Sequence, residues 1–179
     1  MTDPRTTALH TRHQALGASF TDFGGWLMPV RYSSELAEHR AVREAAGLFD
    51  ISHMAEFLVT GPRAGDFLDD ALAGRFSALP IGKATYSLVL TESGGIVDDV
   101  IVYRLGEEWF LVIANAGNRD AVGSALDERL RAFPAPTPAS AADESGSFAF
   151  VAGAQPSVED VSDISALIAL QGPRAAQIL

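Results

Sequence analysis

The sequence contains no cysteine, few basic residues relative to acidic ones and no long apolar run, and each absence argues against a class of chemistry or of partner. Without cysteine the chain has no disulfide, no thiolate nucleophile and no Cys-based zinc or iron–sulfur site. Lys and Arg number 13 against 23 Asp and Glu, for a formal net charge of −10. Because no basic cluster offsets this charge, it argues against nucleic acid and anionic membranes as partners.

The sequence also lacks the segments that would direct a chain into or across a membrane. No run approaches the roughly 18 apolar residues of a spanning helix, and the N-terminal residues contain no apolar core of a secretory signal. The four histidines show no metal-ligand spacing and there is no phosphate-binding glycine loop, so we predict no metal site. With 179 residues, 47% of them hydrophobic, the chain can form one domain or two small ones. We expect a soluble, cytoplasmic protein with small-molecule or protein partners.

The most informative stretch covers residues 86–118, which the pattern predicts to be three short strands joined by tight turns. Two adjacent carboxylates, Asp98 and Asp99, stand inside the middle apolar run. Because successive side chains of a strand point to opposite faces, one aspartate follows the core-facing residues unless a bulge redirects it. Burial of an unpaired carboxylate costs several kcal/mol or shifts its pKa. One of the two is therefore either hydrogen-bonded or functional.

Neighbouring side chains on a strand diverge, so the pair is unsuited to act together on one substrate atom, and we expect a single functional carboxylate. Asp99 is the better candidate because Tyr103 shares its face four residues later, roughly 13 Å away by strand rise. This separation suits a long flat ligand held at two points. The alternative is that an Asp after a Gly-Gly turn only bonds nearby backbone amides.

The rest of the chain predicts short helices between extended segments. Helices are expected over residues 6–16, over residues 33–46 with Leu36, Val42 and Ala46 buried, from Pro62 onward, and from an N-cap at Asn118. His10 and His13 on the first helix are interpreted as a solvated pair. Residues 133–147, rich in Pro, Ala and Ser, are predicted to be a linker. Strands are expected over residues 148–154 and 166–170.

The chain contains a short internal repeat. Residues 58–68, LVTGPRAGDFL, are similar to residues 168–179, IALQGPRAAQIL, each with an apolar strand, a Gly-Pro-Arg-Ala turn and the start of a helix. The second copy stops after one and a half helical turns, which is a marginal length without tertiary support. We therefore expect the chain to be a piece of a longer protein.

Five motifs in series carry a resemblance to a known family. They are FGGWLMPVRY (23–32), EHRAVREAAGLFDISHM (38–54), ATYSLVLTESGGIVDDVIVYR (84–104), FLVIANAGN (110–118) and ALQGPRAAQIL (169–179). In this order they resemble the N-terminal half of the aminomethyltransferase of the glycine cleavage system, the T-protein. They cover nearly all of the chain except the Pro/Ala-rich segment.

The resemblance implies a tetrahydrofolate-dependent transfer. The family takes an aminomethyl group from the dihydrolipoyl arm of the carrier H-protein, releases ammonia and forms 5,10-methylenetetrahydrofolate. By similarity Asp99 is the catalytic carboxylate, which orients a folate nitrogen and assists proton transfer. Met54, Tyr86, Tyr103 and Asn115 match positions that line the folate pocket.

The resemblance also implies an α+β fold of antiparallel sheets with flanking helices, in a truncated form of the family's folate-binding fold. Residues 1–55 and 140–179 would form an incomplete, discontinuous first folate-binding domain, and residues 56–138 an intact second domain. The family's third domain would be absent, because T-proteins are roughly twice as long.

Three other functions stay open at this point. A non-catalytic folate-binding module of the same superfold, as in iron–sulfur assembly factors, would bind folate without transfer. A folate-linked demethylase would use the same fold on another substrate. The short chain could also serve only as an interaction or assembly piece.

Overall fold

The structure is a computed structural model that describes residues 4–135 and 155–179. The chain divides into two compact units, one drawn from Met1–Met54 and Ser162–Leu179 and the other from Ala55–Val161. Antiparallel sheets with flanking helices make up the fold, as the resemblance implies. Within the described ranges, no helix has the length and apolar character needed to cross a membrane.

The described part of the first unit contains two small antiparallel pairs of strands and three short helices. Its elements are α1 (His10–Ala15), β1 (Ser19–Phe23), β2 (Trp26–Arg31), α2 (Glu35–Glu44), β3 (Gly47–Asp50), β9 (Ile168–Gln171) and α5 (Ala175–Ile178). Strand β1 pairs with β2, and β3 pairs with β9. Helix α2 begins as predicted, because the side chain of its N-cap Ser34 accepts a hydrogen bond from Ala37 N.

Two expectations about this unit are wrong. His13 is not solvated but buried, with Nε2 2.8 Å from Asp50 Oδ2 and Nδ1 2.7 Å from the Tyr32 hydroxyl. Helical spacing could not reveal these partners, which lie 37 and 19 residues away. Leu36, predicted to be buried, is 62% exposed, since α2 approaches β3 near its other end, where Val42 lies against Gly47.

The carboxylate of Asp50 is the centre of a hydrogen-bonded cluster in the first unit. Thr7 Oγ1 donates to it at 2.6 Å and the Ser52 backbone N–H at 3.0 Å, in addition to His13. Burial by itself would raise the pKa of Asp50, but the hydrogen bonds from Ser52, Thr7 and His13 outweigh burial and lower the pKa below its ordinary value.

Over residues 55–135 and 155–161, the second unit is a five-stranded antiparallel sheet with two helices against it. Its elements are β4 (Ala55–Thr60), α3 (Ala64–Ala71), β5 (Ala84–Leu90), β6 (Ile96–Gly106), β7 (Trp109–Ala114), α4 (Arg119–Ala132) and β8 (Ser157–Asp160). The strands lie in the order β5-β6-β7-β4-β8. The three strands predicted within residues 86–118 are confirmed as β5, β6 and β7.

One face of this sheet forms the core together with α3 and α4. Alternate residues of the four longer strands pack against the helices, and the apolar side chains at this contact are fully buried. The sheet contributes Phe57, Val59, Val89, Val100, Val102, Phe110 and Val112, and the helices contribute Phe67, Leu68, Val122 and Leu126. The intervening residues of β5 and β6 occupy the opposite face, which we call the open face. Its exposed members Tyr86, Asp99 and Tyr103 show that the α3/α4 layer covers one side only.

The unit boundaries differ from the predicted domains at one strand. The resemblance implies that residues 140–179 belong to the first domain, whereas β8 pairs antiparallel with β4 and therefore belongs to the second unit. The reason is long-range strand pairing, which the local pattern does not encode. The predicted strand at 148–154 and most of the predicted linker lie outside the described residues.

The repeated Gly-Pro-Arg-Ala turn precedes a short helix in each unit. Gly61 and Gly172 both adopt positive φ, at +97° and +125°, a conformation that favours glycine. The predicted strand near residues 166–170 is confirmed as β9. Helix α3 begins at Ala64 rather than at the predicted Pro62, because Arg63 takes a left-handed conformation with φ of 65° before the helix starts.

Candidate functional site

Strand β6 places its two adjacent aspartates on opposite faces of the second unit's sheet. Asp98 follows Val100 and Val102 onto the helix-covered face and is 3% exposed. Asp99 follows Tyr103 onto the open face and is exposed to solvent. Strand alternation therefore separates one buried carboxylate from one accessible carboxylate, as the spacing requires.

The buried carboxylate of Asp98 is satisfied by three neutral donors. The backbone N–H of Asn115 donates to Oδ2 at 2.8 Å, the Asn115 side-chain amide donates to Oδ1 at 2.9 Å, and the Asn118 side-chain amide donates to Oδ1 at 2.6 Å. These bonds replace the water that Asp98 loses on burial. Asp98 is thus the hydrogen-bonded member of the pair.

The exposed carboxylate of Asp99 is held through one oxygen. The side-chain amide of Asn115 donates to Asp99 Oδ1 at 3.0 Å and also lies 3.3 Å from the Asp99 backbone oxygen. Within the described part of the chain, the other carboxylate oxygen of Asp99 receives no hydrogen bond. A carboxylate fixed on one side and open on the other can accept an N–H or O–H donor from a ligand.

Asn115 stands in this position because of the register between β6 and β7. Tyr103 pairs with Leu111 and Ile101 pairs with Ile113, so the same register continued by two residues places Asn115 opposite Asp99. The chain leaves the sheet directly afterwards, in a single 3-10 turn over Ala116–Asn118. Asn115 therefore reaches both aspartates from the end of the neighbouring strand.

The surface around Asp99 is partly aromatic. Leu88 of β5 pairs with Asp99, and Tyr86 of β5 pairs with Ile101, which lies between Asp99 and Tyr103 on the open face. Tyr86 is 75% exposed and Tyr103 is 39% exposed. Since neighbouring strands are roughly 4.8 Å apart, Tyr86, Tyr103 and Asp99 share one area of the open face, which we call the aromatic platform.

The structure brings four of the five residues predicted for the site onto one sheet. Tyr86, Asp99 and Tyr103 lie on the open face, and Asn115 lies at its end. Met54 belongs to the first unit and is the residue before β4; its backbone N–H donates to Ile51 O at 3.0 Å. The predicted pocket role of each residue stays a prediction.

Sequence reasoning missed Asn118 as part of this site. The sequence predicts Asn118 to be the N-cap of α4, and it does occupy that position, but its side chain makes no capping hydrogen bond. The amide is instead directed to Asp98, 20 residues earlier in the chain. The only available sequence signal was the proximity of two asparagines, Asn115 and Asn118, after a strand that neighbours an Asp-Asp pair.

The arrangement supports acid–base and orienting chemistry rather than nucleophilic catalysis by the protein. A carboxylate with one free oxygen can orient an N–H group and accept its proton. Exposed tyrosine rings on a flat sheet face offer a surface on which a planar heteroaromatic ligand can be buried. Within residues 4–135 and 155–179, no cluster of three or more potential metal ligands is present.

The sequence and the fold of this chain are both similar to those of known proteins. The chain is 51% identical over its whole length to the aminomethyltransferase of Corynebacterium jeikeium (strain K411), of which it covers 41%. It is 48% identical to the aminomethyltransferase of Saccharopolyspora erythraea, of which it covers 43%. The crystal structure of glycine cleavage system aminomethyltransferase T from Bartonella henselae matches 98% of this chain and 42% of its own, with 40% identity and a TM-score of 0.79.

These similarities define the fold as that of the N-terminal part of an aminomethyltransferase. The GCVT N-terminal domain matches residues 9–179, and the chain belongs to this family. The chain spans about two-fifths of the length of the curated relatives it matches. The two relatives and the solved structure share the name aminomethyltransferase.

Proposed function

We propose that this chain supplies the catalytic carboxylate and part of the folate site of a tetrahydrofolate-dependent aminomethyltransferase of the glycine cleavage system. The observation that carries the proposal is the exposed Asp99 carboxylate, fixed by Asn115 on the open face and flanked by Tyr86 and Tyr103. The names of the relatives support the same activity. Tetrahydrofolate is the co-substrate in this proposal, and the planar pyrimidine part of its reduced pterin suits the aromatic platform.

In the proposed reaction, Asp99 accepts a hydrogen bond from a folate N–H with its open oxygen. The bond orients the nitrogen toward the one-carbon unit, and the carboxylate can accept the proton that the nitrogen loses. Asn115 keeps the carboxylate turned toward the open face. Tyr86 and Tyr103 bind the flat part of the ligand, and Met54 completes the folate-lining set carried over from the family.

The transfer balances without any further reactant. Two folate N–H groups lose their protons as both nitrogens bond to the methylene carbon, and that carbon loses its bonds to the amine nitrogen and to the carrier thiol. One proton leaves with ammonia and the other with the thiol. Asp99 is the group on this chain placed to accept and pass on a proton, while orientation supplies much of the remaining rate.

The proposal also assigns partners and organisation. The donor of the aminomethyl group is the lipoylated H-protein, and the location is the cytoplasm. The described part of the first unit forms the incomplete first domain, and residues 56–138 with β8 form the second. Neither nucleic acid nor a membrane is a partner, because no basic cluster offsets the net charge of −10.

The test is a pair of aspartate variants in a complete protein, in which these 179 residues precede the downstream part of a relative such as the Corynebacterium jeikeium aminomethyltransferase. Asp99→Asn should lower formation of methylenetetrahydrofolate by roughly 10²- to 10⁴-fold, the range for loss of a general base. Asp98→Asn should cost less, since Asp98 lies on the opposite face. Asp70→Asn, an exposed aspartate on α3, is the matched control and should retain full activity.

Tetrahydrofolate binding should be measured on the same proteins by quenching of tryptophan fluorescence. The proposal expects Asp99→Asn to bind tetrahydrofolate and to turn over slowly, because the aromatic platform is intact. Turnover equal to that of the parent protein would remove Asp99 from the mechanism. Absence of saturable quenching in the parent protein would remove the folate site itself.

A further inference from the structure

We infer that Asn118 is a positioning residue for Asp99 and acts through Asp98 and Asn115. The inference rests on the proposed function, since it assigns a role in the same site. It concerns a chain of hydrogen bonds that runs from the start of α4, through the covered face of the sheet, to the open face.

The first step is the buried carboxylate of Asp98. It is 3% exposed, and its three hydrogen-bond donors are all amide groups. In the described residues, no lysine, arginine or histidine forms an ion pair with it. Without a cation, the orientation of this carboxylate is set by its three hydrogen bonds. The contact from Asn118 Nδ2, at 2.6 Å, is the shortest of them.

At the second step, the Asn118 side chain points to Asp98 and not to the helix. An asparagine at an N-cap position ordinarily accepts a hydrogen bond from a backbone N–H in the first helical turn. Asn118 makes no such bond, and its amide donates to Asp98 instead. Its side chain therefore holds the aspartate rather than the helix that it precedes.

The third step is the bridge made by Asn115. Its side-chain amide donates to Asp98 Oδ1 and to Asp99 Oδ1, at 2.9 and 3.0 Å. Asn118 and Asn115 share the Oδ1 atom of Asp98 as acceptor. If Asp98 rotates after the loss of Asn118, the amide of Asn115 loses its fixed partner and the Asp99 carboxylate is no longer held in one orientation.

The route predicts a particular kinetic effect of Asn118→Ala in the complete protein. Misorientation of a reacting group can cost up to about 100-fold in rate, so we expect kcat to fall by roughly 10- to 100-fold. The KM for tetrahydrofolate should stay within about 2-fold of the parent value, because the tyrosine platform that binds the ground state is untouched. Asn118→Ser, which keeps a short hydroxyl donor near Asp98, should recover part of the lost kcat.

A double-mutant cycle with Asn115→Ala separates positioning from general destabilisation. Once Asn115 is removed the route to Asp99 is cut, so Asn118→Ala should lower kcat little further in that background. Asp120→Asn, which removes the acidic side chain in the first turn of α4, is the control for a weakened helix start and should leave kcat unchanged. All assays are run well below the lowest Tm of the set, and Asn118→Ser replaces Asn118→Ala if the latter does not fold.

Two results would overturn the inference while leaving the proposed function intact. One is a parent-like kcat for Asn118→Ala in a protein whose Asp99→Asn variant is inactive. The other is an equal loss of kcat from Asn118→Ala with and without Asn115. Full activity of Asp99→Asn would instead overturn the proposed function, so the two failures are distinguishable.

Discussion

Replacing Asp98 by asparagine should destabilise the fold, whereas the same replacement at Asp99 should leave stability nearly unchanged. Asp98 is buried and accepts three hydrogen bonds, while Asp99 is exposed and its carboxylate accepts one. An asparagine at position 98 keeps one oxygen, which can still accept from the Asn115 backbone N–H. Its new NH₂ group then faces the amides of Asn115 and Asn118, which are both donors.

The magnitude follows from these contacts. A hydrogen bond to a charged group contributes about 1.5–3 kcal/mol, and two such bonds are lost. Part of this loss is recovered because a neutral amide is less costly to bury than a carboxylate. A net loss of about 2–3 kcal/mol in the free energy of unfolding is therefore expected. For a chain of this size it corresponds to a fall in Tm of roughly 4–12 °C.

The assay is thermal and urea unfolding of the 179-residue chain at neutral pH, followed by circular dichroism. Asp99→Asn is the matched control, and its free energy of unfolding should lie within about 0.5 kcal/mol of the parent value, as for ordinary surface changes. If the two variants have equal midpoints, or if Asp99→Asn is the less stable, the division of the pair into a structural and an accessible carboxylate is refuted.

Two further predictions concern the first unit. Burial raises the pKa of Asp50, but the hydrogen bonds to its carboxylate outweigh burial and hold the folded pKa below the ordinary value. Asp50 therefore stabilises the fold above about pH 4, the pKa in the unfolded chain, and this stabilisation is lost as the pH falls through the lower folded pKa. Asp50→Asn should flatten this acid limb in a plot of Tm against pH, and an unchanged limb would contradict the prediction. Gly172→Ala should destabilise the chain by about 1–3 kcal/mol more than Gly94→Ala, because the new methyl group would be overpacked. Both glycines have positive φ, but of the two only Gly172 would place a Cβ 2.6 Å from backbone oxygens of α2 and its C-cap region. Equal losses in urea unfolding would show that the close approach does not matter.

Strand periodicity predicted that one aspartate of the pair must be buried, but it could not decide which one. The choice depends on the side of the sheet that α3 and α4 cover, and this is fixed by packing of residues far apart in the chain, such as Phe57 beside Gly123. The sequence favours Asp99 because Tyr103 shares its face, and the structure places both on the exposed side. The function of that face remains a proposal.

The details that the local pattern missed at His13, Asn118 and β8 share one cause, which is a polar or strand partner distant in sequence. His13 was expected in solvent and is buried against Asp50, 37 residues away. Asn118 occupies its predicted N-cap position, yet its side chain bonds Asp98. Strand β8 joins the sheet through β4, about 100 residues earlier in the chain. Local propensity reports the element that a residue belongs to, but not the long-range bond that its side chain makes.

A donor that connects two consecutive residues of one strand cannot lie inside a neighbouring strand, because side chains within a strand reach a single face of the sheet. It must stand where the neighbouring chain leaves the pleat. Asn115 meets this condition, since β7 ends at Ala114 and the 3-10 turn begins at Ala116. Its backbone N–H is thereby free to bond Asp98 while its amide spans to Asp99. A residue inserted between Ile113 and Asn115 would shift the register by one and direct the amide away from Asp99. The length of β7 is consequently as much a requirement of the site as the identity of Asp99.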